Sequence, residues 1–67
     1  MITITINGES NQLPEKVTIA QLLNHKALQP EKVAVVKNGE VIPKSLWPDT
    51  LCVEQDRFDI FTVVAGG

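Results

Sequence analysis

Two Asn-Gly pairs, Asn7-Gly8 and Asn38-Gly39, each stand between runs of strand character. An Asn-Gly pair in that setting is a strong short-range hairpin signal, because a type I′ turn needs positive φ at both central positions. The pairs account for two of the four glycines. The others, Gly66 and Gly67, close the sequence, where no fold needs them. Two hairpins are therefore predicted, together with a terminus whose composition is not explained by structure.

The first hairpin opens with Ile2-Thr3-Ile4-Thr5-Ile6, which alternates with period 2 in β-branched residues and sets Ile2, Ile4 and Ile6 toward a core. Its return strand, Glu9 to Leu13, is polar through Ser10, Asn11 and Gln12 and suits a sheet edge. After a loop at Pro14-Glu15-Lys16, Thr18 followed by Gln21 forms a capping box, and Val17 with Leu22 a hydrophobic staple. Ile19, Leu22 and Leu23 make one apolar stripe. A helix is predicted over about 18–27, stopped by Pro30.

Val33 to Lys37 is almost wholly apolar and predicts a strand covered on more than one side. Asn38-Gly39 turns it into Glu40-Val41-Ile42, placing Lys37 opposite Glu40 as a cross-strand charge pair, and Pro43 ends that strand. Lys44 to Asp49 reads as a short 3₁₀ segment carrying Trp47, Thr50 to Arg57 is mixed, and Phe58 to Val64 is the last strand.

The order is hairpin, helix, hairpin, strand. Neither hairpin can bury itself alone, so the economical arrangement is one mixed sheet with the helix across one face and the last strand beside the first. The predicted class is α+β, a ubiquitin-like β-grasp of four to five strands with one main helix. It forms a single domain over 1–67, with 65–67 a flexible C-terminal tail.

Composition narrows the function. Six Lys and Arg against eight Asp and Glu give a net charge of −2, with the basic residues scattered, so no nucleic-acid partner is expected. One Cys excludes an intrachain disulfide framework. One Cys and one His cannot supply the roughly four N or S ligands of a structural zinc site. No apolar run approaches the roughly 20 residues of a membrane span, so no membrane partner is expected. The opening residues lack the basic-then-apolar order of a signal peptide. A cytoplasmic protein, monomeric when free and with no bound cofactor, is the expectation.

In the last strand Phe58, Ile60, Thr62 and Val64 point one way and Asp59, Phe61 and Val63 the other. If Phe58 and Ile60 meet the helix, Phe61 and Val63 lie on the open face as a partner-docking patch. Loops covering them, or a sheet that sets Phe61 against the helix, would remove it. Ala65-Gly66-Gly67 then forms a thin tail around which another protein's backbone can close. Its α-carboxylate, of pKa about 3.5, is an anion at neutral pH and a poor electrophile. To accept a nucleophile it must first become a mixed anhydride, most simply an acyl-adenylate formed with ATP.

In order, these features resemble the ThiS family of sulfur carrier proteins of thiamine biosynthesis. The residues that carry the resemblance are Ile6-Asn7-Gly8-Glu9, Val17-Thr18-Ile19 leading into Leu22-Leu23, Val35 to Val41 around Asn38-Gly39-Glu40, Val41-Ile42-Pro43-Lys44 with Trp47 behind, and the terminal Ala65-Gly66-Gly67. The resemblance implies that Gly67 is adenylated by a ubiquitin-activating-like adenylyltransferase, which consumes ATP. Sulfur from a cysteine desulfurase relay then gives a Gly67 thiocarboxylate, which donates it to a thiazole synthase. The chain would be a co-substrate rather than an enzyme, with Ala65, Gly66 and Gly67 entering partner active sites. Family members often carry Arg where this chain has Lys44, and Lys binds as a point charge rather than bidentately. The same chemistry serves the small subunit of molybdopterin synthase, whose chains are usually longer. A non-covalent ubiquitin-like docking module is a third reading.

Other residues have plainer roles. A lone Cys52 between Leu51 and Val53 reads as packing rather than sulfur relay. His25 reads as a surface side chain without a nucleophile to serve. Trp47 is expected to cover one end of the core with its indole N–H bonded outward. Glu54, Asp56 and Asp59 read as a solvated acidic loop or a patch facing a basic partner, ahead of a weak cation site.

Overall fold

The computed structural model describes residues 1–63. β1 (Ile2–Ile6) and β2 (Glu9–Leu13) form the first hairpin, α1 runs Ile19–His25, and a 3₁₀ turn Pro30–Lys32 leads into β3 (Val33–Lys37). β4 (Glu40–Val41) completes the second hairpin, a 3₁₀ segment Lys44–Asp49 follows, and β5 (Arg57–Thr62) ends the described sheet. The sheet order is β2-β1-β5-β3-β4. β1 and β5 are parallel and the other neighbours antiparallel, the β-grasp expected from the sequence. Polar β2 is an edge strand, as its composition predicts. β5 starts one residue before the predicted Phe58 and ends at Thr62, with Val63 described but outside the strand, and Val64 and the tail 65–67 lie outside the described residues.

Both turns take the required backbone, with φ of 51° and 85° at Asn7 and Gly8 and the same at Asn38 and Gly39. Their asparagines also reach across to β5. The Asn7 carboxamide accepts from Ile60 N–H (2.8 Å) and donates to Ile60 C=O (3.2 Å). Asn38 accepts from Arg57 N–H (2.8 Å) and donates to Asp56 Oδ1 (2.9 Å). Only two residue pairs join β1 to β5, Thr5 with Arg57 and Ile6 with Phe58. Asn7 extends that short pairing with a side chain that imitates a peptide group, which neither Asp nor Gly can do.

The capping box forms as the sequence indicates: Gln21 N–H donates to Thr18 Oγ1, and Thr18 N–H donates to Gln21 Oε1. The helix is shorter than predicted. After the C-cap Lys26, Ala27 enters the left-handed region at φ 58°. Leu28 N–H bonds Leu23 C=O (2.9 Å) and Ala27 N–H bonds Asn24 C=O (3.1 Å), a Schellman ending. Leu28 packs on the core containing Leu23, which completes the closure. An alanine occupies the position where glycine normally announces such a stop, so the stop was invisible in the sequence.

The core lies between α1 and one sheet face. Ile4, Leu13, Ile19, Leu22, Leu23, Val35, Trp47, Cys52, Phe58 and Ile60 are buried, with Phe58 fully so. On β3 only Val35 is buried, contrary to the expectation of cover on more than one side. Helix α1 covers one face alone, and Ala34 and Val36 turn toward the other, opposite Phe61 and Asp59. Trp47 is buried, but its indole N–H donates to Ile42 C=O (2.9 Å) rather than outward, because β4 has ended and that carbonyl is free to accept.

Two substitutions test these closures by urea unfolding. Asn7→Asp keeps an acceptor for Ile60 N–H but sets a carboxylate against Ile60 C=O, and is expected to lower stability by about 1–3 kcal/mol. Ala27→Gly removes the left-handed cost at the helix end and is expected to raise stability by about 1 kcal/mol.

Candidate functional site

β5 divides its side chains between two environments. Phe58 and Ile60 enter the core, while Phe61 on the open face is 55% exposed and Val63, just past the strand, is 48% exposed. Ala34 stands opposite Phe61 across the β3–β5 ladder, and Val36 opposite Val41 across β3–β4. Val41 is 68% exposed. The apolar residues of β3 that no helix covers thus join Phe61 and Val41 in a strip along one half of the open face. The other half, on β1 and β2, carries Thr3, Thr5, Ser10 and Gln12. Loops do not bury Phe61, and the sheet does not turn it to the helix. Ala65, Gly66 and Gly67, the expected reactive tail, lie outside the described residues.

The polar side chains behind this face are engaged in the fold. Asp56, expected in a solvated acidic loop, is buried at 4% exposure. Its Oδ1 accepts from Asn38 Nδ2, its Oδ2 accepts from Val53 N–H (2.8 Å), and Lys37 Nζ stands 3.5 Å from Oδ2. A carboxylate so supplied with donors ties the turn before β5 to the β3–β4 turn. Lys37 is opposite Glu40 in register, but its ammonium turns to Asp56 and to Leu51 C=O (3.3 Å) instead of forming the expected cross-strand pair. A sheltered carboxylate attracts a cation more strongly than one in water. Glu54 is exposed, with Oε1 accepting from Thr3 N–H (3.0 Å) and Oε2 from Gln55 Nε2 (3.1 Å). Among the described residues no cluster of three or more His, Cys, Asp or Glu is arranged to hold a metal ion.

Cys52 is buried beside this knot. Burial, and then the negative charge of Asp56, push its thiol from 9.0 up to about 11, with Lys37 opposing. The thiolate is the nucleophilic form, so Cys52 in the folded protein is a packing group rather than a sulfur acceptor. His25 is exposed at the end of α1, on a shallow cleft shared with Lys16 and Asn24. That cleft brings no serine, threonine or cysteine to the imidazole. Among the described residues no helix is long and apolar enough to cross a membrane.

The described part of the chain is therefore a β-grasp with an apolar strip on one face and its ionisable groups committed to structure or facing water. This is the ubiquitin-like class of fold. A model of the ThiS family matches residues 3–67. The chain is 35% identical over 66 residues to an uncharacterized protein, ycf40, of Porphyra purpurea, covering 98% of this chain and 93% of that protein. A thiazole synthase of Paramagnetospirillum magneticum is 31% identical over 64 residues, which are 96% of this chain and 20% of that protein. The crystal structure of the thiamine biosynthesis protein ThiS from Geobacter metallireducens superposes with a TM-score of 0.85 at 28% identity, covering 98% of this chain and 100% of that one. The chain belongs to the ThiS family, small ubiquitin-like sulfur carriers of thiamine biosynthesis.

The Cys52 shift carries a pH signature. The native state holds its thiol proton more tightly than the unfolded chain, so the contribution is fully present below pH 9 and is lost as pH rises through about 11. Urea unfolding of the wild type and Cys52→Ala should converge over that window, and a constant difference would contradict the assignment.

Proposed function

We propose that the chain is the protein co-substrate that carries sulfur to thiazole formation, with Gly67 as the modified residue. The Gly67 carboxylate attacks the α-phosphorus of ATP in a ubiquitin-activating-like adenylyltransferase, and pyrophosphate leaves. The outer sulfur of a persulfide supplied through a cysteine desulfurase relay then attacks the acyl carbon and AMP leaves. A second thiol cleaves the resulting acyl disulfide, being oxidised to a disulfide as the Gly67 thiocarboxylate is released. A thiazole synthase takes this sulfur into the thiazole ring of thiamine. Ala65 and Gly66 carry no bulk that would bar the terminus from a narrow nucleotide site. ATP is consumed by the partner, this chain holds no cofactor of its own, and it is a cytoplasmic protein, monomeric when free of its partners.

The observation that carries this reading is a family match running through residue 67, and so through Gly66-Gly67, on a ubiquitin-like sheet. The relative named thiazole synthase supports that enzyme as the acceptor, since its similar segment is about a fifth of its length and belongs to one polypeptide with the rest. The thiamine biosynthesis neighbour favours this pathway over molybdopterin synthesis. The exposed Phe61 and Val63 would be gripped by the partners.

Incubation with ATP and the cognate adenylyltransferase, followed by intact-mass measurement, should show an adenylyl adduct. With the sulfur relay present, the mass should gain the difference between sulfur and oxygen, and both changes should disappear on deletion of Gly67. Thiazole formation that survives that deletion would favour a non-covalent docking module that uses Phe61 and Val63.

A further inference from the structure

The two edges of β5 are held to different lengths. Toward β1, the last attachment is the Asn7 carboxamide on Ile60. Toward β3, pairing continues through Thr62 opposite Val33. Beyond it Val63 N–H donates to Lys32 C=O at 2.6 Å, the last backbone hydrogen bond toward the C-terminus among the described residues. The acceptor is built stiffly. Lys32 closes the 3₁₀ turn Pro30–Lys32, with its own N–H bonded to Gln29 C=O (3.0 Å) and the proline at the start of the turn. The proline ring fixes φ there.

We propose that the Val63–Lys32 hydrogen bond is the fixed root of the reactive tail, making the turn Pro30–Lys32 a positioning element that sets how deep Gly67 reaches into a partner. The inference rests on the carrier reading and adds a length to it. Four residues follow the root, Val64 to Gly67. A fully extended chain of four spans at most about 14 Å, so Gly67 lies within about 14 Å of Val63 when the domain is docked, with the partner's reacting phosphorus or sulfur just beyond its carboxylate. Phe61 and Val63 are exposed beside the root, so a partner that grips them also receives the tail at a defined origin. A fixed root removes slack: each further residue that must be ordered on entry weakens binding by about tenfold.

The sequence offers a clean test, because its only cysteine, Cys52, allows the segment Cys52–Gly67 to be ligated synthetically onto the remainder. In one ligated chain the Val63 amide is replaced by an ester, which removes the N–H and keeps the side chain. In another, Ala65 is deleted. Amide exchange is read on the free chains, with Ile60 as the check that β5 is intact, and adenylation kinetics with the cognate adenylyltransferase.

The expected results are a Val63 amide protected from exchange in the wild type, an ester variant with KM raised about tenfold at unchanged kcat, and an Ala65 deletion with kcat lowered at least about 100-fold. Withdrawing the carboxylate by one residue far exceeds the roughly 1 Å misplacement that costs about that much. The proposal is overturned if Val63 N–H exchanges as in an unstructured peptide, if the folded ester variant keeps the wild-type KM, or if the Ala65 deletion is adenylated at the wild-type rate. A wild-type chain that the enzyme leaves unmodified counts against the carrier reading instead, and Val63 exchange then decides the root on its own.

Discussion

The parallel junction of β1 with β5 is the interaction on which the rest of the molecule depends. It joins segments 53 residues apart, at Asn7 and Ile60, through two ladder pairs and one carboxamide. Contacts so distant in sequence form only after loop-closure entropy has been met, so they require strong local elements at both ends. The two hairpins provide them. Each brings a preformed edge, and β5 slots between β1 and β3 with Phe58 entering the space under α1. With β5 removed, the sheet would be two separate hairpins, each marginal alone in water.

The polar groups that support this junction are few and fully used. Asp56, just before β5, gathers donors from Asn38, Val53 and Lys37, and no buried side-chain nitrogen or oxygen among the described residues lacks a partner. A buried carboxylate left without donors would oppose the fold. Supplied with them, it ties the loop entering β5 to the neighbouring turn and fixes where the last strand begins. The Asn7 carboxamide and the Lys32 carbonyl govern how far it continues in register.

A carrier of this construction separates stability from chemistry. The helix-facing half of β5 holds the fold, while Phe61 on the other half and Val63 just past the strand face outward. Reactivity in the proposed role belongs to a main-chain carboxyl group and to the enzymes that activate it. In that role the domain would serve recognition and placement, while its single thiol is buried and hard to ionise.

Most of the architecture was legible from local signals that act over a few residues. The Asn-Gly turns, the alternation in β1, the capping box of α1 and the polar edge of β2 each depend on backbone geometry or side-chain spacing within one element, and all are seen in the structure. Gly66-Gly67 likewise stood out because no local structural need explains them. Tertiary structure decided the remainder, because it depends on which distant groups meet. Apolar β3 is covered on one face only because there is a single helix. Lys37 leaves Glu40 for Asp56 because that carboxylate is sheltered and Glu40 faces water. The two turn asparagines hold β5, a strand they could not identify from their own neighbourhood. A short sequence window encodes dihedral preference and periodicity, whereas burial and long-range hydrogen bonding exist only once the chain has closed on itself.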